Sequence, residues 1–436
     1  MNIDSLILYR NFKYESLLRR LCGIFKSEAE GRMAALPVEF YEAVHELIDL
    51  AGAYGFEGNL WHCFLALCLA NNENAYSTGC EIVGSVGGSL NDLMLHDCTV
   101  LKELFDLSPT LVDEAPGIAA ALTNYVPPKG AARVFNQRIR DRIVELSVSL
   151  EKADDAAAFK DIISAFYKEF GVGKFGLNKA FNVDEDKDGN TLIEPITRVG
   201  HIYLKDLVGY ESQKKQLRDN TEAFLKGIPA NNVLLFGDAG TGKSSCVKAI
   251  VNEYYEQGLR IIEVYKHQFR LLSDILEQVK DRNYKFIIYM DDLSFEDSEL
   301  EYKYLKAILE GGLGRRPDNV LIYATSNRRH LIRESFRDKE EADEELHRRD
   351  TVQEKISLSA RFGVKIFFES PNKVMFRKIV RSLAERNGIG LPEEELFLEA
   401  NKWEISHGGM SGRTASQFIT YLKGKEAEAA EAKVKP

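Results

Sequence analysis

Apolar residues recur at spacings of three and four through Ser5–Phe25, Val38–Tyr54, Asn59–Leu69, Leu101–Leu107 and Ile139–Leu150. That period buries one face of a helix. Turn signals at Gly87-Gly88 and Pro127-Pro128 separate the segments, and residues 1–182 read as an all-α N-terminal domain. After Ile196 the texture changes. Short β-rich runs at Asn232–Phe236, Arg260–Tyr265, Lys285–Met290, Val320–Thr325 and Val364–Phe368 alternate with helical segments. Such alternation predicts an α/β subdomain over residues 196–370, a five-stranded parallel sheet with helices on both faces. From Asn372 through Tyr421 the pattern is helical again, giving a small helical subdomain over 371–425 and a flexible Ala/Glu/Lys-rich tail over 426–436.

A polar stretch between the two halves, Val183-Asp184-Glu185-Asp186-Lys187-Asp188-Gly189-Asn190, reads as part of a linker over residues 183–195. Asp184, Asp186, Asp188 and Gly189 fit positions one, three, five and six of a calcium loop. The twelfth position, where the bidentate Glu belongs, is Pro195, with Glu194 one residue early. The expectation is a solvated connection that does not bind calcium tightly.

Composition narrows the class. The 436 residues are 44% hydrophobic and 28% charged, as in a globular protein of more than one domain. A net charge of −10 argues against a dedicated nucleic-acid coat. Cys22, Cys63, Cys68, Cys80, Cys98 and Cys246 form no CxxC pair and no zinc spacing, so free thiols are expected. The start MNIDSLILYRNF is not a signal peptide, and the apolar run near Leu60–Ala70, about half a membrane span, reads as a buried helix. Together these readings place the chain in the cytoplasm, away from membranes.

The candidate chemistry begins at Gly237-Asp238-Ala239-Gly240-Thr241-Gly242-Lys243-Ser244, a complete GxxxxGK[ST] motif. Val233–Phe236 supplies the strand before it, and Ser245–Tyr255 the helix after it. Glycines let backbone N–H groups turn toward phosphates, and the helix N-terminus adds partial positive charge. Lys243 reaches the β/γ-phosphates, the Ser244 hydroxyl serves Mg2+, and Ser245 completes the phosphate-binding set. One strand later, Phe286-Ile287-Ile288-Tyr289-Met290-Asp291-Asp292 ends a buried run in two acids. Asp291 is placed to hold Mg2+, and Asp292 to polarise the attacking water. The pair of motifs predicts an Mg2+–ATP site.

In motif order the chain resembles the AAA+ ATPases. Asp206-Leu207-Val208-Gly209-Tyr210-Glu211 resembles the segment that packs on adenine, and Ala324-Thr325-Ser326-Asn327 resembles sensor 1, with Asn327 orienting water or γ-phosphate. Ser357-Leu358-Ser359-Ala360-Arg361-Phe362-Gly363 lies where that superfamily carries its arginine finger, which implies a homo-oligomer with Arg361 acting in trans. Gly412-Arg413-Thr414-Ala415 resembles sensor 2 in the lid, with Arg413 facing nucleotide. A more specific resemblance is to a bacterial AAA+ family known as domain of unknown function 815. It is carried by Asp291–Glu296, by residues 316–332 and by Ser411–Ala415, and it covers about residues 195–425.

Departures from that pattern are Ala360 where an acid precedes the finger, His407 and Met410 where further arginines stand, and Asp292 where most AAA+ enzymes have Glu. Asp is one methylene shorter, which implies slower hydrolysis, and Glu296 is a candidate to compensate. The resemblance implies an ATPase that remodels or regulates a macromolecular partner, a protein client more than DNA. Two alternatives stay open: a nucleotide-gated binding module with little turnover, and a DNA-associated loader. By subtraction, the helical half is expected to face the client.

Overall fold

A computed structural model describes residues 3–30, 32, 37–107, 116–128, 135–197, 199–295, 301–310, 317–327 and 358–434. The chain divides into two compact units: residues 1–178 with 195–198, and residues 179–194 with 199–436.

The first unit is helical: α1 (Glu15–Ala29), α2 (Val38–Tyr54), α3 (Leu60–Asn71), α4 (Ala75–Val83), α5 (Ser89–Phe105), α6 (Pro116–Thr123), α7 (Gln137–Glu151), α8 (Ala156–Phe170) and α9 (Gly173–Leu177). Every residue of α3 from Leu60 to Ala70 is buried. A helix apolar on all sides has no face to give to water and becomes the centre of its bundle. Side chains fix the ends: Asn59 caps α3, Asn74 and Ser77 form a capping box on α4, and Asp155 caps α8. The N-terminal segment is tied down by buried Asp97, whose carboxylate accepts the backbone N–H groups of Ile7, Leu8 and Tyr9 at 2.8, 2.8 and 3.1 Å. Among the described residues, no helix is long and apolar enough to cross a membrane.

The second unit is built on one sheet: β1 (Ala180–Glu185), β2 (Thr191–Pro195), β3 (Val233–Gly237), β4 (Leu259–Glu263), β5 (Lys285–Met290), β6 (Val320–Ser326) and β7 (Val364–Phe368), in the order β2-β1-β4-β5-β6-β3-β7. The five expected strands are present and pair in parallel. The sheet has seven strands rather than five, because residues 180–195, read as the end of the helical domain and a linker, supply β1 and β2. β1 pairs in parallel with β4 (Ala180↔Ile261), and β2 returns beside it through a short turn. The Asp/Asn/Gly stretch is that turn. Asp186 accepts from Asp188 N and from Asn190 N and Nδ2 at 2.8–2.9 Å, which holds its carboxyl below the ordinary value, the Asn190 side chain contributing most. Its oxygens close a loop.

Helices α10 (Glu211–Leu225), α11 (Lys243–Tyr254), α12 (Leu272–Val279) and α13 (Glu301–Glu310) accompany the strands. A helical subdomain follows, α14 (Lys373–Asn387), α15 (Glu393–Ser406) and α16 (Gly412–Val434), around its own core of Phe376, Ile379, Val380, Leu396, Phe418 and Ile419. The tail expected to fray from residue 426 continues α16 to Val434.

Candidate nucleotide site

Parallel pairing aligns the carboxyl ends of β3, β5 and β6. Phe236 pairs with Ser326, and Met290 with Ala324, so the residues just beyond these strands meet at one edge. Gly237 closes β3 with φ +129°, and a Cβ there would lie 2.1 Å from the Phe368 carbonyl oxygen. Only glycine lets β3 and β7 approach so closely where the loop begins. The loop ends at Gly242, φ +94°, and α11 starts at Lys243.

Lys243 is buried. Its Nζ donates to the carbonyl oxygens of Gly237 (2.9 Å) and Asp238 (2.7 Å) and to Asn327 Oδ1 (3.0 Å). Burial holds the ammonium below the usual lysine value, with Asp238, Asp292 and Asp291 opposing the shift and Arg413 adding to it. The Asp238 side chain points elsewhere. Its Oδ2 accepts from Ser370 N at 2.8 Å, which pins the loop to the segment after β7, and the Ser370 side chain, then this N–H, holds the carboxyl low.

On the other side, the Ser244 hydroxyl donates to Asp291 Oδ1 at 2.7 Å, and the Thr325 hydroxyl donates to the same oxygen at 2.5 Å. Burial pushes the Asp291 carboxyl up, but hydrogen bonds from Thr325 and Ser244, with the Tyr289 hydroxyl nearby, outweigh it, and the net shift is downward. An ionised carboxylate beside a hydroxyl is a hard oxygen donor set, which fits Mg2+. Tyr289, two residues earlier on the same strand, is fully buried. Its hydroxyl lies beside Asp291, Ser244 and Thr325, yet it makes no hydrogen bond of good geometry.

Asp292 sits at φ +49°, in the left-handed region that Asp and Asn tolerate better than other side chains. Its N–H donates to Thr325 Oγ1 (3.0 Å), and its Oδ1 accepts from Asn327 Nδ2 (2.7 Å). Asn327 therefore bridges Lys243 and Asp292. The site opens into a cavity of about 800 Å3. Ile202, Leu207, Val208, Ile379 and Leu383 give it an apolar end, and Ala239 to Cys246, Asp291, Asp292, Asn327 and Arg413 a polar one. That is the size and lining of a nucleotide-scale pocket. The first turn of α16 meets the loop directly: Gly412 N donates to Gly240 O at 2.9 Å.

The structure thus gathers Ala239, Gly240, Thr241, Gly242, Lys243, Ser244, Ser245, Asp291, Asp292, Asn327 and Arg413 around one cavity. Gly237 and Asp238 shape the loop from behind. Arg361 does not line the cavity; it is exposed in the turn before β7. Glu296, residue 316 and residues 328–332 lie outside the described residues. Sequence reasoning missed the roles of Thr325, Tyr289 and the Asp238 side chain. The first two read as interior strand positions, and their polarity within an otherwise apolar run was the available signal.

The chain was compared with known proteins. The family model described as "Protein of unknown function (DUF815)" matches residues 177–426. Among curated proteins, the replication factor C large subunit of Staphylothermus marinus is 44% identical over 73 residues, 16% of each chain. A probable spastin homolog of Brugia malayi is 22% identical over 319 residues, 66% of this chain and 64% of that one. The chain thus spans less than two thirds of these relatives. Among solved structures, the Thermotoga maritima RuvB Holliday junction branch migration motor aligns with 16% identity and a TM-score of 0.35, covering 50% of this chain and 63% of that chain.

Proposed function

This chain belongs to the DUF815 family and is an AAA+ P-loop protein, and from that premise we propose that it hydrolyses Mg2+–ATP to remodel or regulate a macromolecular partner. The observation that carries the reading is the convergence of Lys243, Ser244, Asp291, Asp292 and Asn327 on one nucleotide-sized cavity. On this reading Lys243 and the loop N–H groups hold the phosphates, trading the Asn327 oxygen for phosphate oxygens. Ser244 and Asp291 hold Mg2+, which when bound supplies charge neutralisation on the phosphates. Asp292 orients and deprotonates the attacking water, and Asn327 positions the pair. Arg413 reads the nucleotide from α16, which couples its state to the helical subdomain. Arg361, exposed before β7, completes the site of a second copy.

A second reading, a nucleotide-gated binding module with little turnover, draws support from Asp292. Its carboxylate is short and already bonded to Asn327. Steady-state phosphate release by the full chain separates the two. Turnover that rises with protein concentration supports the first, and tight ATP binding without phosphate release supports the second. The names of the replication and junction-migration relatives admit a DNA-associated loader, against which the net charge of −10 weighs. The client is proposed to be a protein, recognised by the helical unit.

A further inference from the structure

The helical unit holds a cavity of its own, about 290 Å3, with an apolar wall that includes Phe25, Trp61 and Phe105 and with His62, Glu151, Asn59, Asp106 and Thr123 as polar groups. Its hydrogen-bond arrangement is unbalanced. At the C-terminal end of α5 two carbonyl oxygens are accepted into α3: Trp61 Nε1–H donates to Leu104 O at 2.9 Å, and His62 Nε2 bonds Phe105 O at 2.8 Å. A carbonyl can only accept, so Nε2 carries the proton. That bond leaves Nδ1 to find a partner of its own. His62 is 6% exposed, and Nδ1 is buried with no hydrogen-bond partner. The nearest charged atom is Glu151 Oε1, 3.8 Å away. A carboxylate oxygen accepts. His62 Nδ1 and the Glu151 carboxylate therefore face each other in an aromatic cavity without a hydrogen bond between them, while the other acid of the lining, Asp106, is paired with Lys102.

We propose that this cavity binds a small organic ammonium. Its N–H donors would lie between His62 Nδ1 and Glu151, and its apolar ring or chain would lie against Phe25, Trp61 and Phe105. The volume is at the low end for ligand pockets, so the occupant is of single-ring size. The aromatic rings favour a cation at their faces, and the carboxylate excludes anions. The ligand would be read by the helical unit independently of ATP.

The test uses the full chain carrying Trp403→Phe, which leaves Trp61 as the only tryptophan, since the chain has two. Phenethylamine, 2-phenylethanol and phenylacetate share one ring and differ in the head. Saturable quenching of Trp61 by phenethylamine is expected, with the alcohol about ten- to a hundredfold weaker for want of a charge-assisted bond. Phenylacetate should be weaker still. His62→Phe should abolish binding. Because that ring is tied to Phe105, a second variant guards against misfolding. Glu151→Gln, whose side chain is half exposed at the mouth, should lower phenethylamine affinity to that of the alcohol. No saturable binding at millimolar probe means a cavity filled only by water and overturns the proposal. Equal affinity for all three probes, or for wild type and Glu151→Gln, also overturns it.

Discussion

Buried polar groups are disposed differently in the two units. In the helical unit they are scattered. Asp97 holds the N-terminal segment, Glu81 accepts Val172 N at 2.9 Å, and the Tyr9 and Tyr167 hydroxyls bond each other at 2.8 Å. Each closes its own piece of chain. In the α/β unit, Lys243, Ser244, Asp291, Asp292, Thr325 and Asn327 are wired into one continuous network at the ends of three parallel strands. Scattered satisfied groups stabilise a fold. Groups drawn together from distant parts of the chain, some strained and some unsatisfied, carry a cost that a fold alone does not require. The difference separates scaffold from site without any appeal to motif, and it marks the buried Nδ1 of His62 as a departure within the helical unit.

The predictions test that division, beginning with the largest effect. If the nucleotide network is completed by a second copy, Arg361→Ala should leave ATP affinity unchanged and lower turnover by about a thousandfold or more. Specific activity should rise with protein concentration. Constant specific activity down to a demonstrably monomeric range would exclude a trans finger. Asp292→Asn keeps the left-handed backbone and should retain ATP while losing about a hundred- to ten-thousandfold in turnover. Phosphate release at wild-type rate would remove Asp292 from catalysis. Asp292→Glu, though closer to most AAA+ enzymes, should lower stability by about 1 kcal/mol because Glu tolerates φ +49° less well.

Lys243→Ala should weaken ATP binding about a hundredfold by calorimetry, since a buried charge-assisted contact to phosphate is lost. The scaffold side has its counterpart. Asp97→Ala orphans three backbone N–H groups and should cost about 3 kcal/mol in denaturant unfolding with ATP affinity unchanged. A change in ATP affinity there would dissolve the distinction between the units.

How much of this was legible beforehand follows from the same contrast. A phosphate loop needs fixed residue types at fixed spacing, so residues 237–244 declare it. The paired acids and Asn327 then fall into place by order. The strands β1 and β2 were hidden, because this pair at the margin of the sheet carries polar residues and a turn rich in Asp and Gly between its strands, which is also how a linker reads. Asp238 could be seen in the loop but not its bond to Ser370, since nothing in local spacing reports a partner 132 residues away. The helical cavity left no trace either. His62 in an apolar run reads as a core histidine until the protonation of its other nitrogen is fixed by Phe105.

Tyr289 gives the smallest expected effect and the sharpest test of what an orphan polar group means. Its hydroxyl is buried beside Asp291, Ser244 and Thr325 without a hydrogen bond of its own, and a buried unsatisfied hydroxyl is destabilising by about 1–3 kcal/mol. If it belongs only to the strand, Tyr289→Phe should raise stability and change nothing else. If it serves the site, it bonds a water of the Mg2+ shell once nucleotide is present. The same change should then raise the Mg2+ concentration for half-maximal ATP-dependent turnover by about three- to tenfold, one hydrogen bond in value. Metal-free ATP affinity should stay as it was. Stability rising with an unaltered Mg2+ profile would place Tyr289 with the scaffold. An altered Mg2+ profile would extend the network to a residue that, read from the chain alone, is one more aromatic in an apolar strand.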